Sequence, residues 1–200
     1  GIAGDLFDRK LSYLVIVANG NGANVSANDN AKFQKSARLT WVPVATARDR
    51  LTLGIDGLWS EDVNLAKLDL GLPGNLFTGS RQMAGADLAW NHGRFDFSAE
   101  WLHGTFRPLA ALPAASFAAE GWQATAAWYV IPGKLRAVVR AEAFDPNTAV
   151  GGNTIRTRTL GLNYYVKGED IKLMLDYLNG DGSGATTAGS RLLTRLQLIF

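Results

Sequence analysis

The chain has no cysteine among its 200 residues, so neither a disulfide framework nor a thiolate metal site can organise it. Methionine is scarce too, at 2 residues against 6 Trp, 9 Phe, 5 Tyr and 22 Gly, a balance that suits β-structure better than helix. Neither sign of charge dominates: 20 basic residues stand against 18 acidic ones, which excludes a nucleic-acid module with a dense basic face. No apolar run approaches the roughly 18 residues of a membrane helix. The longest candidate, 109–119, is short and broken by Pro113. No phosphate-cradling GxxxxGK[ST] loop, metal-spaced His cluster or EF-hand pattern occurs. The NGDGSG run lacks the regular carboxylates and terminal Glu of a calcium loop. No cofactor and no metal are expected. The opening GIAGDLFDRK has neither the basic nor the apolar region of a signal peptide. The expectation is a mature chain, or one that begins part-way through a longer protein. No composition shift marks a linker, so residues 1–200 read as a single domain.

What the chain does have is alternation. Ten segments carry a period-2 pattern of apolar and polar residues: 11–18, 36–44, 51–59, 82–91, 94–103, 121–130, 134–143, 155–166, 171–178 and 191–200. GIAG, before the first of them, reads as the end of a descending strand, followed by a turn at 6–10. The connections alternate long and short throughout, which is the order of an up-and-down antiparallel barrel with short turns at one end. The aromatics sharpen this reading. Trp41, Trp90, Trp128, Tyr164 and Phe200 fall at the short-turn end of five strands, and Trp59, Trp101, Trp122 and Tyr177 at the long-loop end. All nine share the apolar face, as two girdles at the interfaces of a bilayer would. A soluble sandwich would instead bury such rings mid-strand in its core. The fold class expected is all-β: an antiparallel transmembrane β-barrel with about ten strands present.

The opposite face would line the lumen. Its charged positions are Arg38, Arg136, Arg140, Lys172, Arg191 and Arg195, with Asp56, Asp87, Asp96, Glu100, Glu142 and Asp176 against them. Asp56, Asp87, Asp96 and Glu100 come early in the chain, and five of the basic residues come late. Two readings remain open at this stage. In one, a basic wall faces an acidic wall and sets a transverse field across the pore. In the other, these charges solvate the interior and pair with neighbours, Arg140 with Glu142 and Lys172 with Asp176.

A catalytic reading would rest on His103, at the long-loop end, with Glu61, Asp62 and Asp145 as its rim neighbours. A lone rim His without a repeated His–Asp spacing points to no enzyme. The alternative to a channel is a closed ten-stranded barrel, an adhesin or a rim-site enzyme such as an omptin-like protease. Arg156 and Arg158 stand at the long-loop end, where they could meet anionic lipid headgroups.

Three runs carry a family resemblance: LFDRKLSYLVIVANGNGAN, LGLNYYVKGEDIKLMLDYLNGDG and the terminal LLTRLQLIF. They resemble the C-terminal part of the phosphate-selective porin O/P family of Gram-negative outer membranes. The resemblance implies a 16-stranded porin of which these are the last strands, and a homotrimer when full-length. It also implies passive diffusion of small hydrophilic solutes, with anions such as phosphate among them. Its implied partners are outer-membrane lipid and lipopolysaccharide, together with the barrel-assembly machinery that reads a C-terminal aromatic strand, here ending in Phe200. No nucleic acid is among them.

Overall fold

Segments that alternate in polarity pair with the next such segment along the chain, and nothing interrupts the succession. The computed structural model describes residues 1–20, 30–66, 76–109, 115–181 and 189–199, and contains one 11-stranded sheet in strict sequence order. The strands are β1 (Ile2–Leu6), β2 (Leu11–Ala18), β3 (Gln34–Ala45), β4 (Asp49–Ala66), β5 (Leu76–His92), β6 (Phe95–Pro108), β7 (Phe117–Ile131), β8 (Leu135–Asp145), β9 (Ile155–Lys167), β10 (Ile171–Asp181) and β11 (Gly189–Leu198). Every neighbouring pair is antiparallel. Short turns close one end of the sheet and long connections the other, as the alternation requires. GIAG does lie in a strand that runs toward the short-turn end, continuing to Leu6, which brings the count to eleven. The turn after β1 is tight: Phe7, Asp8 and Arg9 all have positive φ, at 53°, 53° and 64°, and Lys10 N donates to Phe7 O at 3.0 Å.

The short turns share one device. The residue immediately before each rising strand gives its carbonyl to an amide of the next hairpin. Val42 N donates to Lys10 O at 2.7 Å, Gly93 N to Arg48 O at 2.9 Å, and Tyr129 N to Arg94 O at 2.9 Å. Tyr165 N donates to Lys134 O and Ile199 N to Asp170 O, both at 2.8 Å. Carbonyls that would otherwise face outward at the sheet end are thereby satisfied.

Four strands are much longer than the alternation alone suggested. β4 has 18 residues, β5 17, β6 14 and β7 15. Stretches 60–66, 76–81, 104–108 and 117–120 are therefore strand where the sequence pattern suggested loop. The pattern fails there for identifiable reasons. A register shift between Asp62 and Leu65 breaks the parity of β4. Gly79 adopts φ 155°, and a Cβ there would lie 2.2 Å from Arg107 O, so the position admits only glycine and shows no alternation. The extensions carry a small core. Leu65, Phe77, Phe106, Phe117 and Ala119 are all buried, Phe77 to 1 % exposure. Phe106 stacks on Phe117 at 5.0 Å and meets Phe77 edge-on at 5.6 Å.

Phe106 is the centre of that trio. Phe106→Ala should destabilise the folded protein by about 3–5 kcal/mol. The check is the urea midpoint of the detergent-folded protein, with an unchanged m-value.

Candidate pore wall and aromatic girdle

The two faces of the sheet differ in how their side chains meet. On the charged face, contacts skip a strand. Arg38 on β3 reaches Asp87 on β5 at 2.7 Å, Arg136 on β8 reaches Asp96 on β6, and Tyr129 on β7 lies 5.8 Å from Tyr165 on β9. Strands two apart are separated by roughly 9.5 Å, so such side chains converge. On the aromatic face, the contacts of strand residues join the same or adjacent strands, as for Trp101 with Glu120 and Tyr177 with Ser190. The charged face is therefore the concave one.

The convex face is apolar and largely bare. Trp41, Trp59, Trp90, Trp101, Trp122, Trp128, Tyr164 and Tyr177 all lie on it, each 38–54 % exposed. Phe200, expected as the ninth of this set, lies outside the described residues. The register shows how they line up. Trp41 pairs with Leu53 and Leu53 with Leu88, two residues before Trp90. Trp90 pairs with Phe97 and Phe97 with Ala126, two residues before Trp128. Trp128 pairs with Ala137 and Ala137 with Leu162, two residues before Tyr164. Each step of two strands thus moves the ring two residues toward the short turns. A slope of one residue (~3.3 Å) per strand (~4.8 Å) corresponds to a tilt of about 35°. Outer-membrane barrels tilt their strands by roughly 35–45°. The line continued to β11 arrives at Leu198. At the other end, Trp101 pairs with Trp122, and the same slope leads from Trp101 through Ala143 and Arg156 to Tyr177.

On the concave face the charges are mostly spoken for. Arg38 binds two carboxylates at once, Asp56 at 3.1 Å and Asp87 at 2.7 Å. Arg136 pairs with Asp96 and lies 5.4 Å from the centre of the Tyr129 ring. Glu100 accepts from Gln123 at 3.0 Å. Arg140 binds Glu142 on its own strand, Nε to Oε2 at 2.8 Å. A cleft of about 300 Å³ is lined by Glu100, Gln123, Arg140, Glu142 and Thr157. Lys172 departs from expectation: its partner is Glu169 of the preceding turn, at 2.8 Å, and Asp176 has no ion pair among the described residues. Lys172 also lies 5.5 Å from the Tyr165 ring centre. Arg191 and Arg195 on β11 have no ion-pair partner among the described residues. Arginines one or two strands away thus pair with Asp56, Asp87 and Asp96 of the acidic stretch expected to face a basic wall, while Glu100 bonds the neutral Gln123.

A denser pair lies just beyond the stretches where the alternation suggested strand. Arg81 Nε lies 3.1 Å from Asp62 Oδ2, and the Asp62 side chain is 1 % exposed. Ser60 donates to Asp62 Oδ1, and Gln34 Oε1 accepts from Arg81 at 3.4 Å. Carrying the parity of Asp56 and Asp87 up β4 and β5 would have found both residues. The catalytic grouping around His103 is not assembled. His103 lies on the convex face, stacked on Trp101 and 3.8 Å from Glu120. Asp62 is on the concave face, and Asp145 bonds Asn147 and Thr154 in its own loop.

With this geometry in view, comparison with known proteins is direct. The profile described as "Phosphate-selective porin O and P" matches residues 60–200. The chain belongs to that family. No curated protein matches its sequence. Among solved structures it is similar to Pseudomonas aeruginosa OccK9 (OpdG), with TM-score 0.54 and 14 % identity. The match covers 93 % of this chain and 52 % of that one, so the porin-family chain spans about half the length of its structural relative.

Removing Arg81 alone would strand a buried carboxylate. Arg81→Ala should cost about 3–5 kcal/mol, and the Arg81→Ala, Asp62→Ala double variant should recover part of that loss. A double-mutant cycle in urea measures the coupling.

Proposed function

We propose that the chain forms the wall of an outer-membrane channel for passive diffusion of small hydrophilic solutes, anions such as phosphate among them. It is a multi-pass β-barrel segment with its short turns in the periplasm and its long connections outside the cell. The observation that carries this reading is the aromatic line that crosses β3, β5, β7 and β9 at one residue per strand. A bare apolar face bounded by two such lines suits a bilayer, and a concave polar face suits water. Among the described residues most concave charges pair with neighbouring side chains, which favours a channel over an enzyme.

The preference for anions rests on where unpaired charge remains. Four of the five residues that precede rising strands are basic: Lys10, Arg48, Arg94 and Lys134. All four are exposed, and none has an ion pair among the described residues. The fifth, Asp170, is held by Lys167 at 3.5 Å. The carbonyl contacts of these residues hold the cations at regular intervals around the periplasmic mouth. Arg191 and Arg195 add unpaired charge along the wall. Asp8 is the unpaired acidic exception among these turns, and a mouth with an excess of one sign of charge concentrates the opposite ion.

Purified protein in planar bilayers should give ohmic conductance; a chain that inserts without conducting would refute the channel. Under a salt gradient, the Lys10→Glu, Arg48→Glu, Arg94→Glu, Lys134→Glu variant should lower the anion-to-cation permeability ratio by a factor on the order of two or more. An unchanged reversal potential would remove the anion preference while leaving the channel in place.

A further inference from the structure

Between the two aromatic lines the convex face carries almost no charge. Among the described residues the exceptions are Lys35 and Arg158, and both stand level with Trp122. Arg158 is reached from Trp122 through Ala143 and Arg156, two strands on and two residues nearer the short turns. Lys35 is connected to the same level through Trp59, Gln82, Thr105 and Ala118. An exposed guanidinium at the edge of hydrocarbon is unfavourable unless an anion meets it. Arg158 has neither an ion pair nor a side-chain hydrogen bond among the described residues.

Its surroundings are specific. Arg158 pairs in register with Asn179, and Asn179 with Ser190. Asn179 Nδ2 donates to Ser190 Oγ at 3.1 Å, and the Tyr177 and Ser190 hydroxyls are 2.9 Å apart. Arg156 lies one step further toward the long loops, with only a 3.9 Å approach to Asp181. On the other side Arg158 pairs with Ala141, whose small side chain leaves the guanidinium uncrowded. Toward the short turns the same face continues as Val139, Leu160 and Leu162, all about half exposed. Two guanidiniums and a row of hydroxyl and amide groups thus stand above an apolar wall.

We infer that Arg156, Arg158, Asn179 and Ser190 form a binding site for a phosphorylated glycolipid of the outer leaflet. Arginine forks match phosphate oxygens bidentately. The neighbouring hydroxyl and amide groups suit sugar hydroxyls, and the Val139–Leu160 surface suits an acyl chain. A plain phospholipid would use the charge but not the polar row. The site rests on the convex face being the lipid face, and the test separates the two. Insertion into vesicles and single-channel conductance report on the barrel; lipid titration reports on the site.

The probe is lipid A, added to the detergent-folded protein and followed by native mass spectrometry, with dephosphorylated lipid A and phosphatidylglycerol as competitors. Lipid A should bind about tenfold more tightly than either competitor. Arg156→Gln, Arg158→Gln should abolish that preference while leaving conductance unchanged. Arg158→Lys should retain only part of it, because an ammonium keeps the charge but not the bidentate fork. Unaltered lipid A preference in the double variant would overturn the site. Equal binding of phosphatidylglycerol would overturn its assignment to a glycolipid.

Discussion

A constant stagger between neighbouring strands underlies every other feature of this protein. Each strand is displaced by one residue relative to the plane through Trp41, Trp90, Trp128 and Tyr164, and the displacement repeats without drift from β3 to β9. Because side chains alternate with period 2, a slip of one residue in any pair would send a whole strand's apolar set to the wrong face. The stagger therefore sets strand tilt, the level of the aromatics and the identity of the concave side chains together. It also lets one backbone ladder satisfy the peptide groups across the apolar zone, where no water would do so.

Charge on the concave face follows from the same register. Arg38 lies opposite Asp56, while Gly54 lies opposite Asp87, so one guanidinium reaches both carboxylates across a strand that offers no side chain to block it. A Cβ at Gly54 would fall 2.4 Å from the Arg38 guanidinium and 2.3 Å from Asp87, so the absence of a side chain there is what opens the space. Asp56, Asp87 and Asp96 are met locally by arginines, Glu100 and Asp176 have no ion pair among the described residues, and the unpaired basic charge is left to β11 and the turns. A wall that looks nearly neutral by count is thus uneven by location.

Most of this architecture was legible from alternation. The face of each aromatic, the up-and-down order and the short-turn end all follow from period 2 and connection length. The rest was hidden for physical reasons. Register belongs to strand pairs rather than to single strands, so the slope that aligns the girdle could not be read from any one segment. The upper parts of β4 and β5 escaped because the shift after Asp62 reverses parity and Gly79 shows no face, and the Asp62–Arg81 pair was lost with them. Spacing along one strand points Lys172 to Asp176. The turn that precedes it places Glu169 closer.

The carbonyl contacts of the short turns carry an implication for how such walls change size. The residue before each rising strand presents its carbonyl to an amide at the foot of the next descending strand. The repeating module is therefore two strands and a turn, with a fixed rise and a fixed handshake at its foot. Copying or deleting a whole module would keep the turn contacts and the parity of every remaining strand, while ion pairs that skip a strand would be regrouped at the joint. Copying a single strand would invert all that follows it. Circumference in this architecture can grow only in steps of two staves.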